Sequence, residues 1–566
     1  MRQVQQTNHS QAENVPEHKS GQFSRSGLPP VWDALVRVAF YILFTISYLG
    51  ALTHSYLRLG DNAATGMSTT LFSTGLVILL LLILTVFFVG VHLRQRFWAG
   101  VRRHAFLGAA VLFILAACFQ VLLILKVHPG IGWDVDAIHM AVIDPQDPDL
   151  ETYFSMYPNN VLILLLQHKL ADWFQTQSWL FFDLLTLVLV DLSVWLNVAV
   201  IGILKPQLTA VALALQSLFL LVFPYIMVPY TDAWVLPLVS LYLLGYCLVK
   251  QPRFMVPVRG LGLILFGFGS VATYYMKPSA IIPLIAIGMN EAWRLLRRLI
   301  KQRGRFPLRR LGAAALTGLA IGVAFALPAK LLGQAVNQQS YIEVDPDLAI
   351  PAVHYLSMGV SGTGGYNAAD ALKMAELQTV EERVQYSLET WKQRLQDKGV
   401  LGYLSFLLQK QVSNTADGSL AWLKEGSFMQ GVEEPTYGGL TGLLQSFLYL
   451  YGNHVQDFRF AAQLFWVFLL SLIFWACKER DFWIQTLRLS LLGGFLFLLL
   501  FEGGRSRYMI QFLPVLLLLA VLSAPASFRQ LRSIWVAVKP DSGWSGRRSE
   551  SEPPAVSPKP DPPLSD

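Results

Sequence analysis

Two carboxylates one residue apart, Asp134 and Asp136, lie just after a long apolar run in the stretch HPGIGWDVDAIHMA, residues 128–141. A carboxylate beside Trp133 and apolar neighbours can have its pKa raised, and a raised pKa suits a general base. The spacing alone is weakly specific, because the sequence DAIHMAVI is also compatible with a helix that Asp136 caps. The pair therefore predicts either a catalytic base or a helix N-terminus, and Asp134 is the better candidate for the base.

A second group of side chains could bind a phosphate. Arg505 and Arg507 lie in GGRSRY before the last apolar run, and Lys277 lies in YYMKPS. Arginine presents planar, permanently charged donors that match phosphate oxygens. Alternatively, the arginines anchor a helix by reaching lipid head groups, with Tyr508 at the membrane interface. Because Glu502 and two glycines precede the arginines, we favour a site for the phosphate of an anionic lipid.

Further polar residues flank the apolar runs and are candidate substrate ligands. They are Tyr157, Asn159 and Asn160 in YFSMYPNN, Asp232 in VPYTD, His354 in VHYLSMGVSGTGGYN, and Glu502 and Tyr508 in FEGGRSRY. Asn160 could equally cap the next helix, and a lone histidine is more often structural than catalytic. Asp183 and Asp191 lie inside an apolar run, where a carboxylate is costly and indicates function by default. For these two we favour hydrogen bonds between helices.

The composition indicates that a membrane protein positions these side chains. Of the 566 residues, 54% are hydrophobic and 14% are charged, whereas soluble proteins carry roughly 25% charged residues. The net charge of +7 comes from short basic clusters between apolar runs. This pattern is typical of the positive-inside rule and not of nucleic-acid binding. We therefore predict an all-α polytopic membrane protein in a lipid bilayer, with no nucleic-acid partner.

The apolar runs predict the number and direction of the transmembrane helices. A crossing helix needs about 20 apolar residues, which gives about 12 helices here, with a range of about 11–13. The predicted spans are 33–53, 70–93, 105–127, 179–204, 208–227, 233–250, 260–276, 279–296, 311–333, 461–477, 485–502 and 508–526. The clusters RQRFWAGVRRH and RLLRRLIKQRGRFPLRR predict cytoplasmic loops. Both termini are then cytoplasmic, the candidate site residues are extracytoplasmic, and the location is the cytoplasmic membrane.

The spans divide the chain into five predicted regions. These are a disordered cytoplasmic tail (1–30), a transmembrane module (31–335) with a catalytic first large outer loop (128–178), an extracytoplasmic helical loop (336–460), the C-terminal transmembrane helices (461–527), and a disordered cytoplasmic tail rich in Pro and Ser (528–566). The segment 159–174 is too short and too polar to cross, so we expect an interfacial helix there. Charges at helical spacing predict a solvated helix that ends near residue 399.

Four of these motifs together resemble bacterial GT-C glycosyltransferases, in particular the dolichyl-phosphate-mannose-protein mannosyltransferase-like proteins of cell envelopes. They are the carboxylates of the outer loop, the YPNN element before an amphipathic helix, the KP pair at a helix end, and RxRY before the last span. The resemblance implies a GT-C-like helical bundle and inverting transfer of a sugar from a polyprenyl-phosphate carrier to a glycan, lipid or protein acceptor of the envelope. It assigns the base to Asp134. Several relatives carry adjacent Asp and Glu, so the division of roles with Asp136 stays open.

The resemblance and the residue chemistry agree on one mechanism. Arg505, Arg507 and Lys277 bind the donor phosphate, while Asp134 takes the proton of the acceptor hydroxyl. A divalent metal could bridge the two aspartates, but the cations already neutralise the phosphate, so we predict no cofactor. The alternatives are a flippase or other transporter of lipid-linked saccharides, and a non-catalytic subunit of envelope assembly. Polar motifs concentrated on one face of the membrane favour an enzyme.

Overall fold

The computed structural model of the protein describes residues 30–538, except residue 90 and residues 302–307, 424–428, 431–433, 436 and 437. Residues 1–29 of the predicted N-terminal tail and 539–566 of the predicted C-terminal tail therefore lie outside the described residues. The last helix continues to Val538, so the start of the predicted C-terminal tail, from residue 528, is helical instead of disordered.

The described residues are mostly helical, which confirms the predicted all-α class. The helices are α1 (Pro30–Leu52), α2 (Leu71–Val89), α3 (Val91–Lys126), α4 (Asp134–Ile143), α5 (Pro148–Met156), α6 (Val161–Phe174), α7 (Trp179–Leu204), α8 (Thr209–Leu220), α9 (Thr231–Lys250), α10 (Val256–Met276), α11 (Ile282–Lys301), α12 (Leu308–Asn337), α13 (Ala352–Met358), α14 (Ala368–Glu376), α15 (Val380–Thr415), α16 (Gly439–Leu448), α17 (Val455–Phe474), α18 (Phe482–Leu500) and α19 (Leu513–Val538). Two short strands, β1 (Asp61–Asn62) and β2 (Met67–Ser68), pair antiparallel. Short 3-10 helices that matter below are Pro158–Asn160, Pro278–Ile281 and Ser506–Phe512.

Among the described residues, 9 helices are long and apolar enough to cross a membrane. These are α1, α3, α7, α9, α10, α12, α17, α18 and the helical segment that ends in α19. The protein is therefore an integral membrane protein with several spans, as its composition predicts.

Three of the predicted spans are absent from this set. The span 70–93 corresponds to α2, whose described apolar part is the short helix Leu71–Thr85. The span 208–227 corresponds to α8, which has 12 residues and is therefore only about 18 Å long. The span 279–296 corresponds to α11, whose second half, RLLRRLIK, is strongly charged. A total of about 12 crossings stays a prediction, made from the length of apolar runs.

Glycines allow α9, α10 and α12 to pack closely. A Cβ on Gly245 of α9 would lie 2.6 Å from the carbonyl oxygen of Gly262 in α10, and one on Gly267 would lie 2.1 Å from the carbonyl oxygen of Ala324 in α12. Small residues allow such close approach of membrane helices. By contrast, none of the residues in the most apolar 18-residue stretch of α12 is buried. In the corresponding stretch of the last span, 94% of the residues are buried. We conclude that α12 packs at the periphery of the bundle and the last span at its centre.

Candidate functional site

One cavity of about 720 Å³ brings most of the predicted site residues together. The predicted residues that line it are Asp134, Tyr157, Asn159, Asn160, Lys277, Glu502, Arg505, Arg507 and Tyr508. The lining also includes residues that the sequence did not single out, among them Tyr153, Tyr230, Tyr355, Tyr366, Phe497, Phe501 and Gln511. The remaining predicted residues, Asp136, Asp232 and His354, do not line this cavity.

The cavity lies where several membrane helices end. Asp134 begins α4 just after the end of α3, Lys277 follows the last residue of α10, and Glu502 follows α18. The 3-10 helix Ser506–Phe512 leads from there into α19. We call this side of the bundle the cavity end. A polar residue that follows a membrane helix must lie at that helix's end, and this explains why dispersed motifs meet here.

The carboxylate of Asp134 is held by two tyrosines. The Tyr153 hydroxyl donates to Oδ1 and the Tyr230 hydroxyl donates to Oδ2, each at 3.0 Å. Trp133, immediately before Asp134, has φ 63°, a strained backbone conformation for a bulky residue. Such strain persists only where surrounding contacts impose it. The backbone and both tyrosines thus fix the orientation of Asp134 at the N-terminus of α4.

Both tyrosines stay protonated and act as donors. Burial raises the pKa of Tyr153 and of Tyr230 well above the ordinary tyrosine range, and the charge of Asp134 raises each pKa further. Asn160 donates to the Tyr153 hydroxyl oxygen at 2.6 Å, and Asn159 donates to the side-chain oxygen of Asn160 at 3.1 Å. A chain of hydrogen bonds therefore runs from the YPNN element to Asp134. Asn160 occupies the N-cap position of α6 without a side-chain capping bond, so its contact is with Tyr153.

Asp136 occupies a different environment from Asp134. It is half-buried and accepts a hydrogen bond of 2.9 Å from Nε2 of Gln430. Burial raises the pKa of the Asp136 carboxyl, and the hydrogen bond from Gln430 opposes that increase. The expectation that Asp136 caps the helix is wrong, since α4 begins at Asp134 and its N-cap residue is Trp133. Asp136 also does not line the cavity that contains Asp134, so a shared catalytic role of the two aspartates stays a prediction.

Asp232 lies behind the cavity wall as the counter-ion of two cations. Its Oδ1 accepts a hydrogen bond of 2.6 Å from Nζ of Lys277, and its Oδ2 lies 3.4 Å from Nε of Arg507. The side chain is 1% exposed. A buried carboxylate of this kind requires compensating charge. The predicted substrate contact of Asp232 is not seen: Asp232 pairs with Lys277 and Arg507, which line the cavity, and does not line it itself.

The loop after α18 brings Glu502 and Arg505 to the cavity. The Tyr508 hydroxyl donates a hydrogen bond to Glu502. Burial raises the pKa of the Glu502 carboxyl, while that hydrogen bond and the charges of Arg505 and Arg507 oppose the increase. Gly504 adopts φ +74°, and a Cβ there would lie 2.8 Å from the carbonyl oxygen of Thr363. Only glycine tolerates both conditions, so GGRSRY packs tightly against the loop that carries Tyr366.

His354 lies in α13, whose neighbouring residues Tyr355 and Met358 line the cavity. The His354 side chain is itself buried, and burial lowers its pKa to about 4. The predicted substrate contact of His354 is therefore corrected: its imidazole packs within the protein. Asp183 in α7 also differs from expectation, because neither carboxylate oxygen has a hydrogen-bond partner among the described residues.

The residues that the sequence missed are mainly tyrosines. Tyr153 lies four residues before Tyr157 on one face of the α5 segment, and Tyr230 lies two residues before Asp232. Both spacings are present in the sequence. However, tyrosines are common near membrane interfaces, so these two could not be recognised as site residues. Among the described residues, no group of at least three His, Cys, Asp or Glu side chains is arranged to hold a metal ion.

The arrangement can therefore hold an anion and accept a proton. The cavity is lined by two carboxylates, Asp134 and Glu502, together with the cations Lys277, Arg505 and Arg507. Its aromatic lining suits a substrate that has an apolar portion as well as a charge.

Comparison with known proteins identifies a family. Neither the curated proteins nor the solved structures contain a match to this chain. A family described as "Conserved hypothetical integral membrane protein" matches residues 28–528, a range that includes every residue named in the cavity. The chain belongs to this family of integral membrane proteins.

Proposed function

We propose that this protein is a GT-C-type glycosyltransferase that moves a sugar from a polyprenyl-phosphate carrier to a cell-envelope acceptor. One observation carries the proposal: Asp134 and the cations Lys277, Arg505 and Arg507 line a single cavity where the membrane helices end. The phosphate of a membrane lipid lies at the interface, where membrane helices end, since its chain occupies the hydrocarbon. All four sequence motifs that resemble these enzymes contribute residues to this cavity, which further supports the proposal.

The cations account for donor binding. Arg505 and Arg507 offer planar donors to phosphate oxygens, and Lys277 adds a third positive charge. Asp232 holds two of these cations in place before the donor arrives. Preorganised charges of this kind stabilise a transition state without reorganisation. Phe497 and Phe501 of the α18 region line the same cavity, and they give the first isoprene units an apolar wall.

The proposed reaction is a direct displacement at the anomeric carbon. The acceptor hydroxyl oxygen attacks C1, a new C1–O bond forms, and the bond from C1 to the phosphate oxygen breaks. The polyprenyl phosphate leaves with the bonding electron pair, and the cations neutralise its charge. Asp134 accepts the hydroxyl proton. One displacement inverts the anomeric configuration, and a phosphate leaving group needs no general acid.

The hydrogen bonds to Asp134 are compatible with this role. Each carboxylate oxygen has two lone pairs, so one pair on each oxygen stays available after Tyr153 and Tyr230 have donated. The two tyrosines hold the carboxylate in one orientation, which serves the geometry of proton transfer. We propose no metal and no cofactor for this step. The acceptor is a glycan, lipid or protein of the envelope, and the active site is on the extracytoplasmic side of the cytoplasmic membrane.

The proposal is tested with the purified full-length protein in lipid vesicles. It is incubated with a panel of polyprenyl-phosphate sugars and an envelope extract, and release of free polyprenyl phosphate is measured. We expect release that requires both the donor and the extract. Movement of an intact donor between leaflets without release would indicate a transporter. Neither binding nor release with any donor would leave a non-catalytic assembly role and would contradict the proposal.

A further inference from the structure

Helix α15 changes character abruptly at Gly399. Residues 380–398 carry charged side chains at Glu381, Glu382, Arg383, Glu389, Lys392, Arg394, Asp397 and Lys398, whereas residues 399–409 carry none. The charge pattern predicts that a solvated helix ends near Gly399, but the helix continues to Thr415. A charged half and an apolar half of one helix require different surroundings.

The backbone also changes direction at this position. Gly399 has φ 58° and ψ 178°, which interrupts the helical conformation inside α15. Such a φ favours glycine, and a Cβ at Gly399 would meet nothing within 4 Å. The glycine is thus needed for the bend and not for close packing. The bend allows the two halves of α15 to point in different directions.

The contacts of the second half show how deep it lies. The Gln411 amide and the Thr415 hydroxyl both reach Oγ of Ser47, at 2.9 Å and 2.8 Å. Along the axis of α1, Ser47 lies about 7 Å before the end of the helix. Trp466, about 16 Å from the start of α17, donates to the carbonyl oxygen of Thr415 at 2.8 Å. Since α1 and α17 are candidate membrane spans, the end of α15 lies within the depth of the spans.

One face of this half is apolar and uncovered. Leu401, Leu404 and Leu408 are 82%, 53% and 53% exposed, and they recur at helical spacing on one side of the helix. The second half of α15 packs against α1 and α18. These two helices expose apolar side chains as well, near the same end of the bundle: Leu49, Leu52, Leu496 and Leu500. The exposed leucines of α15 thus add to the apolar surface that α1 and α18 present near this end of the bundle.

We propose that residues 399–415 of α15 are embedded in the lipid leaflet at the cavity end, with Leu401, Leu404 and Leu408 in contact with acyl chains. The uncharged stretch 399–409 spans about 16 Å at 1.5 Å per residue, about half of the roughly 30 Å hydrocarbon thickness. Lys398 marks the boundary, because it is the last charged residue before the uncharged stretch. Its Nζ lies 4.5 Å from the centre of the Phe406 ring. A lysine at such a boundary covers apolar surface with its stem while its charge reaches water.

The opposite face of the same segment holds the wall of the cavity. Nζ of Lys410 donates to the carbonyl oxygens of Gly359 and Phe501, each at 2.6 Å. The side-chain oxygen of Asn414 accepts a hydrogen bond of 2.6 Å from the backbone N–H of Gly504. These bonds join the loop after α13 to the loop that carries Arg505. An embedded α15 would thus fix the cavity at a constant depth relative to the lipid head groups, whatever reaction the cavity supports.

The test uses the full-length chain in lipid vesicles with Cys118, Cys247 and Cys477 replaced by alanine. Single cysteines at Leu401, Leu404, Leu408 and Gln396 carry a nitroxide, and collision rates with oxygen and with a water-soluble nickel chelate are measured. We expect labels at the three leucine positions, and a control label at Leu49, to meet oxygen and exclude nickel. The label at Gln396, an exposed residue of the charged half, should show the reverse.

Two results would overturn the proposal. Nickel accessibility at Leu404 equal to that at Gln396 would place the segment in water, and exclusion of both reagents would indicate a covering protein. A second measurement needs no substitution. Vesicles made with a lipid that carries a photoreactive diazirine on its acyl chain should label the peptide 399–409 of the natural chain and spare 380–398. An unlabelled 399–409 would contradict the inference even if a cysteine variant fails to insert.

Discussion

Nζ of Lys277 donates a hydrogen bond of 2.6 Å to the carboxylate of Asp232, a residue that is 1% exposed. The other carboxylate oxygen lies 3.4 Å from Nε of Arg507. Two of the three cations that line the cavity are therefore positioned by a carboxylate from the start of α9. The pairing keeps the cations in place when no anion is bound, and it makes Asp232 part of the stability of the site.

Asp232→Ala should destabilise the protein, because it leaves Lys277 and Arg507 without their buried counter-ion. Breaking a buried ion pair by removing one partner costs about 3–5 kcal/mol. The measurement is the thermal unfolding midpoint in one fixed detergent. Glu376→Ala is the matched control, since its pair with Lys373 lies on the surface, and it should change little. Equal midpoints for the two variants would show that the Asp232 pair is not structural.

Arg505→Ala should weaken binding of a polyprenyl phosphodiester roughly ten- to a hundredfold, the equivalent of about 1.5–3 kcal/mol for a charge-assisted hydrogen bond. Arg505→Lys should recover only part of the affinity, because an ammonium group cannot make the bidentate contact. Arg480→Ala, in the exposed link between α17 and α18, is the control and should bind normally. The dissociation constant is measured in vesicles at fixed salt. Unchanged affinity for Arg505→Ala would remove this residue from the phosphate site.

Donor binding should tighten as the pH falls towards the raised pKa of Glu502. The sign follows from the charge: protonation of Glu502 removes a negative charge from the cavity, while a phosphodiester stays anionic. The pKa is raised by burial, so the change begins above the ordinary glutamate value of about 4.3. We expect roughly a three- to tenfold effect, or about 1 kcal/mol. Glu502→Gln should bind tightly throughout this range, whereas a Gln variant that keeps the natural pH dependence would exclude Glu502 as its source.

The orientation can be measured with exposed positions at the two ends of the bundle. A cysteine at Asp149, near the cavity end, should react with a membrane-impermeant thiol reagent in whole cells after the three natural cysteines are replaced. A cysteine at Lys478, between α17 and α18, should react only after the cells are opened. Both positions are exposed. The opposite labelling pattern would place the cavity on the cytoplasmic side and exclude an extracytoplasmic reaction.

Nine of the twelve predicted site residues line the cavity, and several of them do so because they directly follow apolar runs. Asp134, Lys277 and Arg505 each lie just beyond a helix that the pattern identified, and helices that cross in alternating directions bring alternate ends to one side. The bounds of α7, Trp179–Leu204, were predicted as 179–204. Where an apolar run is long and bounded by polar residues, length and sidedness are enough to place its ends.

The pairings within the site could not be predicted in the same way. Whether Asp232 faces a substrate or neutralises Lys277 depends on how α9 and α10 rotate about their axes, and no single-sequence pattern specifies that rotation. His354 shows the same limit, because its neighbour Tyr355 turns to the cavity and His354 does not. The predicted span 279–296 rests on its apolar residues. The charged second half of α11 reduces the ability of this helix to cross a membrane.

The most direct test of the proposed chemistry compares Asp134→Asn with Asp136→Asn at saturating donor. Asn keeps the size of Asp but cannot act as a base, so turnover of Asp134→Asn should fall by roughly two to four orders of magnitude, with donor binding retained. Asp136 contacts Gln430 and does not line the cavity, so Asp136→Asn should retain most of its turnover. Near-normal turnover by Asp134→Asn would contradict the account, and an inactive Asp136→Asn beside it would assign the base to the other carboxylate.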